Sequence, residues 1–345
     1  MTTPSTARRA TSAVALTAAL ALSCGGGDQP GASTPRTPAA QFDDLWADFD
    51  RTYPYFVEKD VDWDAARLTF RARAAAAATE AELAGILGEM LTVLEDQHVA
   101  LLDPSGRWVP TWTPTRAPNF DAAVLATYAS RWSVVADGTW SHGHIGAVPY
   151  AVIRDWSAAP AHFDAWLDSV RDAPGLVLDV RMNPGGNNQY ALQVAGRFAD
   201  ATRVAGLVRT RNGPSHGDLG PAQAMRVSPA GSWQFTKPVL LLVGARSVSS
   251  TEDFASAMRE LPHVTLVGDT TGGASANPAR RSLESGWGYT VSTWFFTTPD
   301  GLVVEGHGIP PHVAVAAAPA DFAAGVDPVL DWAETWAAQP KVARP

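Results

Sequence analysis

The segment "PVLLLVGARSVSSTEDFASAMREL", residues 238–261, decides how the rest of the chain is read. Its continuous apolar run, 238–243, has the length and composition of a strand covered on both faces. The run breaks at a turn carrying Ser247, Ser249, Ser250 and Thr251, and an amphipathic helix follows over 253–261. Upstream, "LVLDVRMNPGGNN" (176–188) repeats that order, with an apolar strand, a Pro-Gly-Gly turn and a helix near Gln189–Phe198. "VTLVG" (264–268) supplies a further strand, so strands and helices alternate and the spacing predicts an α/β core. In such a sheet both turns lie at strand C-terminal ends, where sites form.

Flanking segments extend this pattern. "SHGHIGAVPYAVI" (141–153) reads as one glycine-interrupted strand and is followed by a helix near 159–172. "GYTVSTWFFTT" (288–298) reads as one alternating strand that ends in a turn at Pro299-Asp300-Gly301. "DPVLDWAETWAA" (327–338) is an amphipathic closing helix. Residues 41–98 are helical in period, with Phe42, Leu45 and Phe49 on one face and Leu83, Ile86, Leu87, Met90 and Leu94 on another. Thr79 and Glu82 have the spacing of a capping box.

The chain has 345 residues, 46% hydrophobic and 18% charged, with a net charge of −9. Nucleic acid is excluded as a partner, because phosphate binding needs a cationic face that this composition lacks. Residues 1–24 read as an export signal: Arg8 and Arg9 precede the apolar run 11–22, and the chain's single cysteine, Cys24, stands where a lipoprotein signal is cut and acylated. The expectation is an exported protein held to a bacterial membrane, periplasmic or at the cell surface, by a lipid on Cys24. Residues 25–40 form a Gly/Pro-rich tether, 41–100 a helical leader domain, 101–335 the catalytic core and 336–345 a tail.

Two readings of Ser249 stand side by side. It and Glu252 are three apart, so the serine caps the helix, or its hydroxyl attacks a carbonyl whose oxygen is then held by the helix's first free amides. Gly185 and Gly186 bear on this, since without a Cβ their amides can approach a ligand. One of them, with the amide of Ser250, forms a candidate oxyanion hole; a plain turn closed by Asn183 and Asn187 is the other reading. His142 and His144 fall on one strand face, but no third ligand matches them, so neither metal nor cofactor is expected. A small-ester hydrolase is disfavoured because no G-x-S-x-G surrounds any serine.

Four ordered stretches, "LVLDVRMNPGG", "SVSSTEDFASAM", "GDTTGGASANP" (268–278) and "VVEGHGIPPHVAV" (303–315), resemble the tail-specific, C-terminal-processing serine peptidases of family S41. "FDDLWADFDRTYPYFVEKDVDWDAA" (42–66) and "MLTVLEDQHVALLD" (90–103) are similar to the leader of the tricorn-like and retinoid-binding-protein-like branch. The resemblance implies a crotonase/ClpP-like ββα superhelix core behind a small N-terminal helical domain, without a PDZ domain because core elements occupy 101–172. It makes Ser249 the nucleophile and Glu252 the motif glutamate, with Ser247, Ser250 and Thr251 as supporting hydroxyls.

One branch of the family uses a lysine base, but Ala274 occupies the matching turn here. Lys237 lies roughly 20 Å from Ser249 along its strand at about 3.3 Å per residue, and Lys59 and Lys341 are expected outside the core. The other branch uses a histidine, which gives His98 in "LEDQH" as base and Glu305 as the carboxylate that orients it. His307 is the substitute base. Two residues depart from the pattern: Gln97 stands where a small residue assists the imidazole or glutamate, and His312 stands where Pro-Asp is common. The implied activity is an endopeptidase acting on unfolded or C-terminal polypeptide segments. The alternative is a non-catalytic peptide-binding lipoprotein that retains the fold. The Trp-rich "RWVPTWTPT" (107–115) either contacts substrate or packs on the leader helices.

Overall fold

Each leading helix has its start written locally. α1 (Pro38–Thr52) is capped by Thr37, whose hydroxyl accepts from the Ala40 amide, with Pro38 in the first turn. α2 (Trp63–Ala75) is capped by Asp62 and α3 (Glu80–Thr92) by Thr79. The Glu82 carboxylate returns to the amide of Ala78 at 2.7 Å, one residue earlier than a regular capping box places it. Phe42, Leu45, Phe49, Leu83, Leu87 and Met90 are fully buried, and they share one core with Tyr289 and Val291 of the strands behind them.

The computed structural model describes residues 36–135 and 138–339, which lie in one compact unit beginning at Arg36. After α3 come β1 (Ala100–Leu102), β2 (Trp108–Pro110), α4 (Ala122–Tyr128), β3 (Ser130–Val134), β4 (Trp140–Ile145), β5 (Val148–Ile153), α5 (Ala161–Ser169), β6 (Leu176–Asp179) and α6 (Asn188–Gly196). The chain continues through β7 (Arg203–Arg209), β8 (Gln223–Val227), β9 (Val239–Val243), α7 (Ser250–Arg259), β10 (Val264–Gly268), β11 (Pro278–Ser282), β12 (Gly288–Ser292) and β13 (Phe295–Thr297). It closes with β14 (Val313–Ala314), α8 (Pro319–Ala323) and α9 (Pro328–Ala338).

The central sheet runs β14-β10-β9-β6-β5-β4-β3, parallel from β14 to β5 and antiparallel beyond. Its inner strands are covered on both faces. Leu176, Leu178 and Leu241 pack with α6 and α7 through Val194, Phe254 and Met258, while Val177, Leu240 and Leu242 pack with Val329 and Leu330 of α9. That double burial is the physical reason the two apolar runs carry no polar alternation. A second sheet, β11-β12-β1-β2, faces the leader helices, and a third, β13-β7-β8, completes the fold. The architecture is the mixed α/β core with a helical N-terminal region that the resemblance implies.

Two expected single strands are each two. Residues 141–153 fold as the β4–β5 hairpin, turning at Gly146 with φ of 56° between the paired Ile145 and Val148. Residues 288–298 break because the amides of Thr293 and Trp294 both donate to the Ala276 carbonyl, at 2.9 and 3.0 Å. That break sends β12 to the second sheet and β13 to the third. Cys24 and the signal and tether segments before Arg36 lie outside the described residues. Among the described residues no helix is long and apolar enough to cross a membrane.

Candidate active site

The turn after β9 is fastened before it reaches Ser249. Ser247 accepts from the Gly244 amide and donates to the Val180 carbonyl at 2.7 Å, joining the ends of β9 and β6. Ser249 then adopts φ 60° and ψ −131°, a left-handed backbone that is rare for a residue with a Cβ and costs on the order of 1–3 kcal/mol. Its amide donates to the Ala274 carbonyl at 2.7 Å. Although Ser249 holds the cap position of α7, its hydroxyl makes no cap hydrogen bond. Instead Oγ lies 3.1 Å from Nε2 of His98.

His98 sits in the turn between α3 and β1. Its amide donates to Asp96 Oδ1 at 2.7 Å, and its carbonyl accepts from Thr290 Oγ1 at 2.6 Å. Ser292 Oγ in turn donates to Asp96 Oδ2 at 2.7 Å, so β12 fixes both residues. Desolvation holds the imidazole below its ordinary pKa; Asp96 opposes that shift and Lys59 adds to it. Nδ1 of His98 is buried and has no hydrogen-bond partner among the described residues.

Glu305 is buried, and each of its oxygens is taken. Oε1 accepts from Lys59 Nζ at 2.7 Å, and Oε2 accepts from the Ser275 amide at 3.1 Å. One ligating atom from each of Asp96, His98 and Glu305 lies within 4.8 Å of the others. The serine–histidine contact is therefore made directly, while Glu305 stands beside the imidazole without a hydrogen bond to it. Burial, then Asp96, pushes the Glu305 carboxyl up to about 8 against the pull of the Lys59 ammonium.

Lys59 corrects the expectation that it lies outside the core. Besides Glu305 it donates to the carbonyls of Leu94 and Glu95, both at 3.0 Å, so its three N–H groups all have acceptors. Nothing in "FVEKD" marks this role, because the partners stand 35 to 246 positions away. Gln97, which departs from the family pattern, donates its Nε2 to the Gly272 carbonyl at 3.2 Å. His307 Nδ1 is 3.1 Å from the Glu305 carbonyl. His312 extends the edge of β10, its Nδ1 accepting from the Leu266 amide at 2.9 Å.

The glycine turn abuts the serine. Gly185 has φ of 101°, and a Cβ there would lie 2.6 Å from Cβ of Ser249, so only glycine fits. Its amide is used by Asn183 Oδ1 at 2.9 Å. Its carbonyl and the Asn187 amide pair with Trp156, and Ser250 Oγ donates to the Gly186 carbonyl at 2.7 Å. The N–H groups of Gly186 and Ser250 have no acceptor among the described residues. They border a cleft of about 150 Å³ lined by Ser249, Asn187, Asn277 and Trp294 as well. Glu252 is turned away from it, accepting from Thr271 Oγ1 (2.5 Å) and the amides of Gly273 and Ala274 (2.8 Å each). Burial pushes its carboxyl up to about 7. It straps the loop whose Ala274 carbonyl holds Ser249.

Among the described residues the one set of three metal-ligating side chains is Asp96, His98 and Glu305. His98 faces Ser249 and Glu305 holds an ammonium, a combination that opposes a cation. His142 and His144 belong to no such set; His142 instead packs on Trp140 and Trp166. Trp112 of the Trp-rich stretch lines a larger cleft, about 780 Å³, that also borders Phe70, Lys59, Glu305 and His307.

Residues 147–315 match the peptidase family S41 model, and residues 35–92 match the tricorn protease C1 domain. Among curated proteins, the carboxy-terminal processing protease CtpA of Bacillus subtilis is 29% identical over 143 residues, covering 41% of this chain and 29% of that protein. CtpB of the same organism is 27% identical over 155 residues, covering 45% and 30%. The chain thus spans about 30% of the length of the curated relatives it matches. A crystal structure of a candidate peptidase from Parabacteroides merdae superposes with a TM-score of 0.79 at 28% identity, covering 88% of this chain and 98% of that one. The photosystem II D1 C-terminal processing protease superposes at 0.54 with 16% identity over 86% and 97%, a likeness of fold. The peptidase family S41 match thus falls on the stretch that carries Ser249 and Glu305, with the tricorn-type match on the leader helices ahead of it.

Proposed function

We propose that this chain is a serine endopeptidase that cleaves unfolded or C-terminal polypeptide segments through an acyl-enzyme on Ser249. The observation that carries this reading is the 3.1 Å approach of His98 Nε2 to a Ser249 hydroxyl that caps nothing. His98 takes the hydroxyl proton as Oγ bonds to the carbonyl carbon, and the resulting oxyanion is held by the N–H groups of Gly186 and Ser250. The imidazolium then returns the proton to the leaving amine, and water releases the acyl group by the same steps. Lowered basicity of His98 keeps it neutral, and so able to accept, at neutral pH. Asp96 supplies negative charge beside the imidazolium that forms, and the ionised fraction of Glu305 adds to it. Export and lipid attachment at Cys24 belong to the same proposal and rest on the sequence alone.

Reaction with a serine-directed peptidyl phosphonate tests the assignment. Wild type should be labelled at Ser249, Ser249→Ala should not be labelled, and His98→Ala should label at least 100-fold more slowly with its melting temperature retained. Equal labelling of wild type and Ser249→Ala would remove Ser249 from the mechanism. The unpartnered Nδ1 of His98 favours a second reading, a peptide-binding protein that keeps the fold without efficient chemistry. An unlabelled wild type that still binds peptide would support it.

A further inference from the structure

We propose that Asp253 is a specificity-determining residue whose carboxylate, in the wall of the cleft beside Ser249, selects a lysine or arginine side chain on the residue whose carbonyl is attacked. The inference rests on the reading of Ser249 as the nucleophile that faces a peptide.

Asp253 is four positions after Ser249, so it stands one helical turn along α7 from the reacting hydroxyl. It is only 5% exposed, yet it lines the cleft together with Gly186, Asn187, Ser250 and Asn277. Its carboxylate accepts no hydrogen bond from any described residue. Neighbouring Glu252 shows the contrast, because its two oxygens receive three donors. A carboxylate so largely removed from water that meets the cleft without a protein donor is poorly compensated for its lost hydration, and such groups in native proteins call for an explanation.

Among the described residues no cation meets it. No lysine, arginine or histidine lines the cleft, and the charged neighbour acting on Asp253 is Glu252, of the same sign. Burial first and Glu252 second push its carboxyl up to about 7, the behaviour of an acid lacking a counter-ion. An ammonium or guanidinium brought by the substrate supplies what is missing, in a charge-assisted hydrogen bond. Asn187, Asn277 and Ser275, all uncharged, line the same space. Because Ser249 and the free Gly186 and Ser250 amides border this cleft, the side chain entering it belongs to the residue under attack.

Binding to Ser249→Ala, which cannot turn peptides over, tests selection apart from chemistry. Short peptides acetylated and amidated at their ends, differing only in lysine, arginine, norleucine or glutamate at one position, are titrated by calorimetry. Lysine and arginine peptides should bind about 10- to 100-fold more tightly than the norleucine peptide. In Ser249→Ala/Asp253→Asn that ratio should fall to about one. Equal affinities for lysine and norleucine in Ser249→Ala would overturn the proposal without any change at Asp253. A preference that follows an unblocked N-terminal amine instead of the side chain would overturn the assignment to a side-chain subsite. Phosphonate labelling of wild type reports separately whether Ser249 is reactive, so failure of the chemistry and failure of the selection are read in different experiments.

Discussion

At Lys59 a single side chain touches both halves of the catalytic question. Its ammonium lowers the pKa of His98 and pulls down that of Glu305, and it closes a salt bridge whose two side chains are 13% and 1% exposed. Lys59→Met removes that charge. The His98 pKa should then rise, so the acid limb of the kcat/KM profile moves to higher pH, by less than about one unit. Glu305, losing its ammonium, should hold its proton to higher pH and support the imidazolium less, lowering kcat/KM at pH 7 by about 10-fold. A pH profile of peptide or ester hydrolysis checks both. A lysine that merely braces the fold would lower the melting temperature and leave the limb where it was.

At the scale of the element, α7 gathers five carboxyl or hydroxyl groups at its start, and three of them divide the work of the site. Ser249 faces His98, Glu252 straps the 271–274 loop, and Asp253 faces the cleft without a donor. The Asp253 carboxyl, at about 7 in the folded chain, sits above the value of about 3.9 expected when unfolded. The native state therefore binds its proton more tightly, so its contribution to stability is fully present below about pH 4 and is lost as pH rises through 7. Asp253→Asn should remove this slope. The variant should match wild type near pH 4 and exceed it by about 2–4 kcal/mol at pH 8, measured by denaturant unfolding at the two pH values; a variant less stable than wild type at pH 8 would sink the argument. The helix itself was legible, as were β6 and β9, because burial on both faces leaves an unbroken apolar run. The split of 288–298 was not, since it is imposed by a carbonyl at Ala276 that local alternation cannot register. Ser249 was legible only as a choice between cap and nucleophile, and His98 only through resemblance, because a contact across 151 positions leaves no local period. Asp253 and Lys59 were missed: unpaired burial and long-range pairing are properties of the fold.

For the molecule as a whole, the site depends on a buried ion cluster below the sheet's C-terminal edge. Arg181, just after β6 and fully buried, donates to Asp179 and to Asp327, while Tyr150 of β5 donates to Asp179 at 2.8 Å. Asp327 also caps α9 through the amides of Val329 and Leu330. One guanidinium thus joins the strand that leads into the Gly185–Gly186 turn to the closing helix, and a further bond to the Asn119 carbonyl ties in the approach to α4. Desolvating three charges is expensive, so the cluster serves position more than net stability. Removing only the cation should expose that cost. Arg181→Met leaves two buried carboxylates facing each other and should destabilise the protein by about 3–5 kcal/mol. Asp179→Asn/Arg181→Met/Asp327→Asn removes all three charges and keeps the amide oxygens that cap α9, so it should recover a large part of that loss. Urea unfolding of both variants checks the order, and a triple variant weaker than Arg181→Met would mean that the charges themselves hold the strand and helix together.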